Sequence, residues 1–162
     1  MARAYTPLPP AADLWDRFAY KPLTGELVFR AARGSKSQGA TFGCPNAAGY
    51  IIGGYNGKLM YAHRLIYKWF TGMDPAPSVD IDHIDGNKSN NVFWNIRAAT
   101  RTQNCFNRSA KGYVVSAGRY YARICTGNRN VVSLGGYATA EEAQAAYSAA
   151  ALRLHGEFAK TS

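Results

Sequence analysis

Asp82-His83-Ile84-Asp85-Gly86-Asn87, followed by Asn95-Ile96-Arg97 and then Asn104, is the stretch on which the reading of this chain turns. Asn95 stands twelve residues after His83, and Asn104 nine after that. Each residue type brings one piece of chemistry. An imidazole of ordinary pKa is neutral near pH 7 and can take a proton from water. A carboxylate and an amide oxygen are hard donors suited to one Mg²⁺ or Mn²⁺. A further polar side chain can orient the imidazole. Together these are the means of cutting a phosphodiester. A calcium loop counted from Asp80 fails, because Ile84 falls at position 5 and Asp85 where glycine is required.

Local patterns place these residues. Residues 79–84 are expected to be one strand of a hairpin and 93–98 its return strand. Asp85-Gly86 reads as the turn between the arms. Asn87, Asn90 and Asn91 are expected to be loop amides. Thr100-Arg101-Thr102-Gln103 has capping-box form and predicts a helix start, which puts Asn104 in its first or second turn. Upstream, 13–19 has helical spacing through Leu14, Trp15 and Phe18, and 26–30 reads as a strand. Residues 31–49 read as a loop. Asn56-Gly57 between apolar runs is a strong hairpin signal. A helix over 63–70, with Leu65, Ile66, Trp69 and Phe70 as its apolar stripe and Arg64 and Lys68 on one exposed edge, should end at Gly72.

The Asp82-His83, Asn95 and Asn104 pattern, with its lead-in Gly49-Tyr50, Tyr61-Ala62-His63-Arg64-Leu65 and Thr71-Gly72, resembles the HNH nucleases of the homing-endonuclease type. The resemblance implies a ββα-metal fold in which Asn104 takes the place of the final histidine. It makes His83 the general base and Asn95 the residue that bonds across the hairpin and fixes the His83 loop. Asp82 and Asn104 become the ligands of one divalent cation, Mg²⁺ or Mn²⁺. Arg64, Lys68, Arg97, Arg101 and Arg108 are then candidates for phosphate contacts, which position DNA without reading it. No role is assigned to His63 beyond packing or a structural hydrogen bond.

A second module begins near Lys111. Three short strands are expected at 113–115, 119–125 and 130–134. Thr139-Ala140-Glu141-Glu142 is a second capping box, opening an Ala-rich helix that runs to about His155. Gly118-Arg119-Tyr120-Tyr121-Ala122-Arg123-Ile124, Leu134-Gly135-Gly136-Tyr137 and that helix resemble the DNA-binding domain of plant ethylene-response-factor (ERF) proteins. Val114-Val115, Tyr120 and Ser133 depart from the arginines and tryptophans of that family. Strand alternation puts Arg119, Tyr121 and Arg123 on one face. With Arg129 they are the expected DNA contacts. The fold expected for the whole chain is α+β. A flexible arm at 1–12 precedes an HNH nuclease domain at 13–108 with an N-terminal hairpin and helix extension. An ERF-like three-stranded antiparallel sheet packed on one helix follows at 109–162.

Composition agrees with a polyanionic partner. The formal net charge is +9 and the pI about 9.6. The charge is spread, with 13 Lys/Arg against 7 Asp/Glu in residues 1–108 and 6 against 3 in the remainder. Double-stranded DNA is the partner this predicts, bound by a monomer or homodimer. Cys44, Cys105 and Cys125 are odd in number and far apart, so neither a disulfide framework nor a structural zinc is expected. No apolar run is long enough to span a membrane. A cytoplasmic location, in a bacterial host or a phage-infected cell, is the expectation. The rival from another class is a DNA-binding transcriptional regulator with a vestigial nuclease centre. RNA binding has no signature in the chain.

Overall fold

The structure, a computed structural model, describes residues 7–127 and 130–160, so part of the expected arm, Arg129 and Thr161 lie outside the described residues. The fold is α+β, with four small sheets among the described residues. Two compact units divide the chain, 1–99 and 100–162.

The first unit opens with helix α1 (Ala11–Arg17) and the antiparallel pair β1 (Phe18–Lys21) and β2 (Glu26–Phe29), in register from Phe18 opposite Phe29 to Lys21 opposite Glu26. Of the expected arm, Leu8 is buried in the core of this unit. A second sheet has the order β3 (Cys44–Pro45), β4 (Ile51–Tyr55), β5 (Lys58–Tyr61). The expected loop over 31–49 therefore donates one short edge strand. Asn56 and Gly57 have φ of 49° and 75°. Two successive positive φ values define the type I′ turn whose twist matches the flanking strands.

Helix α2 (Ala62–Thr71) buries Ala62, His63, Leu65 and Ile66, and Gly72 stops it at φ 70° with its N–H on Lys68 O. Phe18 lies fully buried at the centre of the core, its ring 5.0 Å from Phe29 and 5.3 Å from Phe42. Strand β6 (Val79–His83) then pairs with β7 (Ile96–Thr100). The return strand starts later than expected, because Phe93–Asn95 is a turn of 3₁₀ helix. Asn95 N–H bonds Val92 O at 2.8 Å, which closes the backbone on itself instead of extending it.

Gly25 ties the β1–β2 turn to the loop behind β6. Its φ is 72°, and a Cβ there would sit 2.3 Å from both the carbonyl carbon of Asn91 and the nitrogen of Val92. Only glycine fits such a backbone approach. Gly25→Ala should destabilise the unit by about 3 kcal/mol, combining left-handed backbone strain with overpacking. Denaturant titration measures it.

The second unit begins with the short helix α3 (Arg101–Phe106), whose capping box from Thr100 and Gln103 is fully formed. Strands β8 (Tyr113–Ser116), β9 (Arg119–Gly127) and β10 (Asn130–Tyr137) make an antiparallel sheet with β9 central. Helix α4 (Ala140–His155) starts at the Thr139–Glu142 capping box. Its alanines let it lie close to the sheet, where Ile124, Tyr147, Ala150 and Ala151 form the core. Phe106 stacks on His155 with centroids 3.7 Å apart, and His155 Nε2–H donates to Cys125 O at 2.7 Å. Along β9, Ala122 and Ile124 are buried while Arg119, Tyr121 and Arg123 are exposed, as alternation predicts.

Candidate active site

Asp82 and His83 end β6 and are both buried, at 8% and 3% exposure. His83 Nε2 lies 3.0 Å from Asn91 Oδ1. An amide oxygen only accepts, so Nε2 carries a hydrogen in this contact. The amide cannot simply be turned over, because Asn91 Nδ2 donates to Ser89 O at 3.3 Å. When the ring is neutral, an Nε2–H so tied down leaves Nδ1 basic, the tautomer that general-base catalysis at Nδ1 requires. Asn91 was expected to be one more loop amide. It is 3% exposed, and burial, which the sequence does not display, is what gives it this role.

Asn95 organises the loop that follows His83. Its O accepts from Ile84 N–H at 2.8 Å and its Oδ1 from Asp85 N–H at 3.1 Å. Its Nδ2 donates to Asp85 Oδ1 at 2.9 Å and Asn90 O at 2.8 Å. Asp85 is the hub of this loop, also accepting from Asn90 Nδ2 at 2.7 Å and Asn87 N–H at 2.8 Å. Desolvation works to raise the Asp85 pKa, but the hydrogen bonds from Asn90, Asn95 and Asn87, with His83 nearby, hold it below the usual aspartate value.

His63 lies directly on His83, ring centroids 5.0 Å apart and edge to face. Tyr50 and Tyr61 pack on His63 at 5.3 and 5.4 Å, and Tyr50 lies 6.0 Å from His83. Burial first, then the His83 and Arg64 charges, push the His63 pKa down to about 3. It stays neutral beside the proposed base. Its Nδ1 is buried and has no hydrogen-bond partner among the described residues.

Asp82 Oδ2 accepts from Arg97 Nε and Nη2, both at 3.3 Å. Arg97, expected to reach for DNA phosphate, has a side chain only 12% exposed and is engaged with Asp82. Lys68 likewise forms an ion pair with Asp74, its side chain 12% exposed, so it does not lie on an open edge. Arg64 on the same helix is half-buried. Arg101, Arg108, Arg119 and Arg123 are exposed. Asn104 is half-buried on α3 in the second unit.

No group of three or more His, Cys, Asp or Glu side chains is gathered for a metal among the described residues. The carboxylates at the end of β6 and in the loop after it are Asp82 and Asp85, both oxygen donors. That set fits a hard cation that keeps most of its water, as Mg²⁺ does, and not a closed cage of soft ligands. No helix among the described residues is long and apolar enough to cross a membrane.

Residues 60–105, which run from β5 to α3, match the family model of HNH endonucleases. Over 117 residues it is 36% identical to an uncharacterized HNH endonuclease of Acanthamoeba polyphaga mimivirus, the match covering 69% of this chain and 62% of that protein. The chain thus spans about three fifths of that relative's length. No solved structure matches.

Proposed function

We propose that the chain is a metal-dependent DNA endonuclease of the homing type, hydrolysing phosphodiesters to 5′-phosphate and 3′-hydroxyl ends. The observation that carries the reading is the Asn91–His83 hydrogen bond, which in the neutral ring leaves Nδ1 as the basic nitrogen. His83 takes the proton from the water that attacks phosphorus. Asn91 and the neutral ring of His63 hold the imidazole in place, and Asn95 with Asp85 fixes the turn behind it. Asp82 is the anionic ligand of one Mg²⁺ or Mn²⁺; the resemblance adds the Asn104 amide oxygen. When bound, such a cation would stabilise the charge that builds on the phosphodiester as it is cut.

Duplex DNA is the substrate in this reading. The second unit acts as an ERF-like DNA-binding domain that contributes Arg119, Tyr121 and Arg123 as a tethered second contact. Arg101 and Arg108 add phosphate contacts, and Arg64 is retained as a further one. One such centre cuts one strand, so a monomer nicks and a pair of copies breaks both.

One observation favours the regulator with a vestigial centre: the proposed ligand Asp82 is ion-paired with Arg97. Plasmid relaxation separates the two. The nuclease reading expects supercoiled plasmid to convert to open circle with Mg²⁺ or Mn²⁺ and to stay supercoiled in EDTA. Retarded but uncut plasmid under all metals tested means the regulator.

A further inference from the structure

Trp94 is 69% exposed, although the residue before it, Phe93, is stacked on Phe70 with centroids 4.0 Å apart. Across the strand pair Ile84 is 42% exposed, and its N–H bonds Asn95 O at 2.8 Å. Two large apolar side chains therefore stand open to water where the hairpin arms meet, one immediately after His83 and one immediately before Asn95. Single exposed hydrophobics are common on any surface. What distinguishes Trp94 is how firmly its backbone is held. Phe93 N–H bonds Tyr20 Oη at 2.8 Å, Asn95 N–H bonds Val92 O at 2.8 Å, and Asn95 Nδ2 bonds Asn90 O at 2.8 Å. The turn is fixed on both sides of the indole and presents it without much further ordering on binding.

We propose that Trp94, with Ile84 across from it, is a DNA-contacting wedge that packs on the nucleosides flanking the phosphate at His83. The proposal rests on the nuclease reading for the placement of that phosphate. The ligand chemistry follows from the side chain. Every base offers a π-face, so an indole stacks without sequence preference. Apolar wedges at a base step partly unstack a duplex and open its backbone to chemistry. The net charge of +9 attracts a polyanion to the protein as a whole.

The test measures binding of the full chain to a fluorescein-labelled duplex in EDTA, where no cutting occurs. Trp94→Ala should weaken binding about tenfold, and Trp94→Phe should stay within about threefold of wild type. Tryptophan emission should be quenched by unlabelled duplex in the wild type and much less so in Trp94→Phe, which keeps Trp15 and Trp69. Unchanged affinity in Trp94→Ala, or undiminished quenching in Trp94→Phe, overturns the proposal. An exposed side chain is a minor risk to folding, and a thermal melt of each variant checks it. Failure of the nuclease reading is seen separately, in wild type with Mg²⁺. A protein that never nicks but shows the Trp94-dependent quench keeps the DNA contact and loses the nuclease. A protein that nicks and binds equally well with alanine at 94 loses only the contact.

Discussion

His83→Ala is expected to slow plasmid nicking by about 10²–10⁴-fold, the range a positioned general base contributes. The loss should fall on the rate of cutting and not on DNA affinity, because His83 is only 3% exposed and offers little surface for binding. Asn91 supplies the matching control. Asn91→Leu removes the acceptor for Nε2–H at a site that is itself 3% exposed, so the ring loses both its tether and its tautomer preference. Nicking should drop at least tenfold. Asn91→Asp keeps an oxygen at that place and should recover most of the activity. A purely structural asparagine would not be rescued by a carboxylate in this way. Single-turnover nicking at saturating protein, with anisotropy for affinity and circular dichroism for folding, separates the cases. Wild-type cutting by His83→Ala would remove the imidazole from the mechanism.

The first unit should lose stability as pH falls from about 6.5 toward 3, and His63 should be a principal cause. Its folded pKa is about 3, against 6.5 for an ordinary histidine. Between those values the unfolded chain takes up a proton that the folded chain refuses, so unfolding is favoured more with each step into acid. The stabilisation is complete above about pH 6.5 and declines by at most about 1.4 kcal/mol per pH unit below it. Charging His63 would put a cation into the core against His83 and Arg64, with no partner at Nδ1 among the described residues to receive the proton's hydrogen bond. His63→Phe keeps an aromatic ring on His83 and removes the titration. Its melting temperature should depend on pH far less steeply than that of wild type over this window. Parallel pH profiles for the two proteins would contradict the assignment.

Much of the local structure is written in short-range signals. Asn56-Gly57 adopts the paired positive φ values its residue types favour, and Gly72 takes the left-handed conformation that ends α2. Thr100–Gln103 and Thr139–Glu142 both close as reciprocal caps. These motifs involve residues at most four apart, so nothing distant has to be known. Alternation along β9 is equally direct, since a strand packed on one helix has one dry face. The 3₁₀ turn at Phe93–Asn95 is not legible in the sequence for the converse reason. The apolar run there satisfies a strand pattern, but the Asn95 side chain reaches back to Asp85 and the Tyr20 hydroxyl holds Phe93 from 73 residues away.

The sequence by itself determined the chemical inventory of the site: a histidine beside an aspartate, amides at fixed intervals and a basic surface. Residue types carry their donors, acceptors and charges wherever they sit, which is why these could be named from the order of letters. Tertiary structure alone decided which groups are engaged with one another. It turned Asn91 from a loop amide into the anchor of His83, turned Arg97 from solvent to Asp82 and Lys68 to Asp74, and placed His63 in the core beside the base. Burial and partner choice are set by contacts between segments distant along the chain. A buried polar group must find a partner among whatever neighbours the fold supplies.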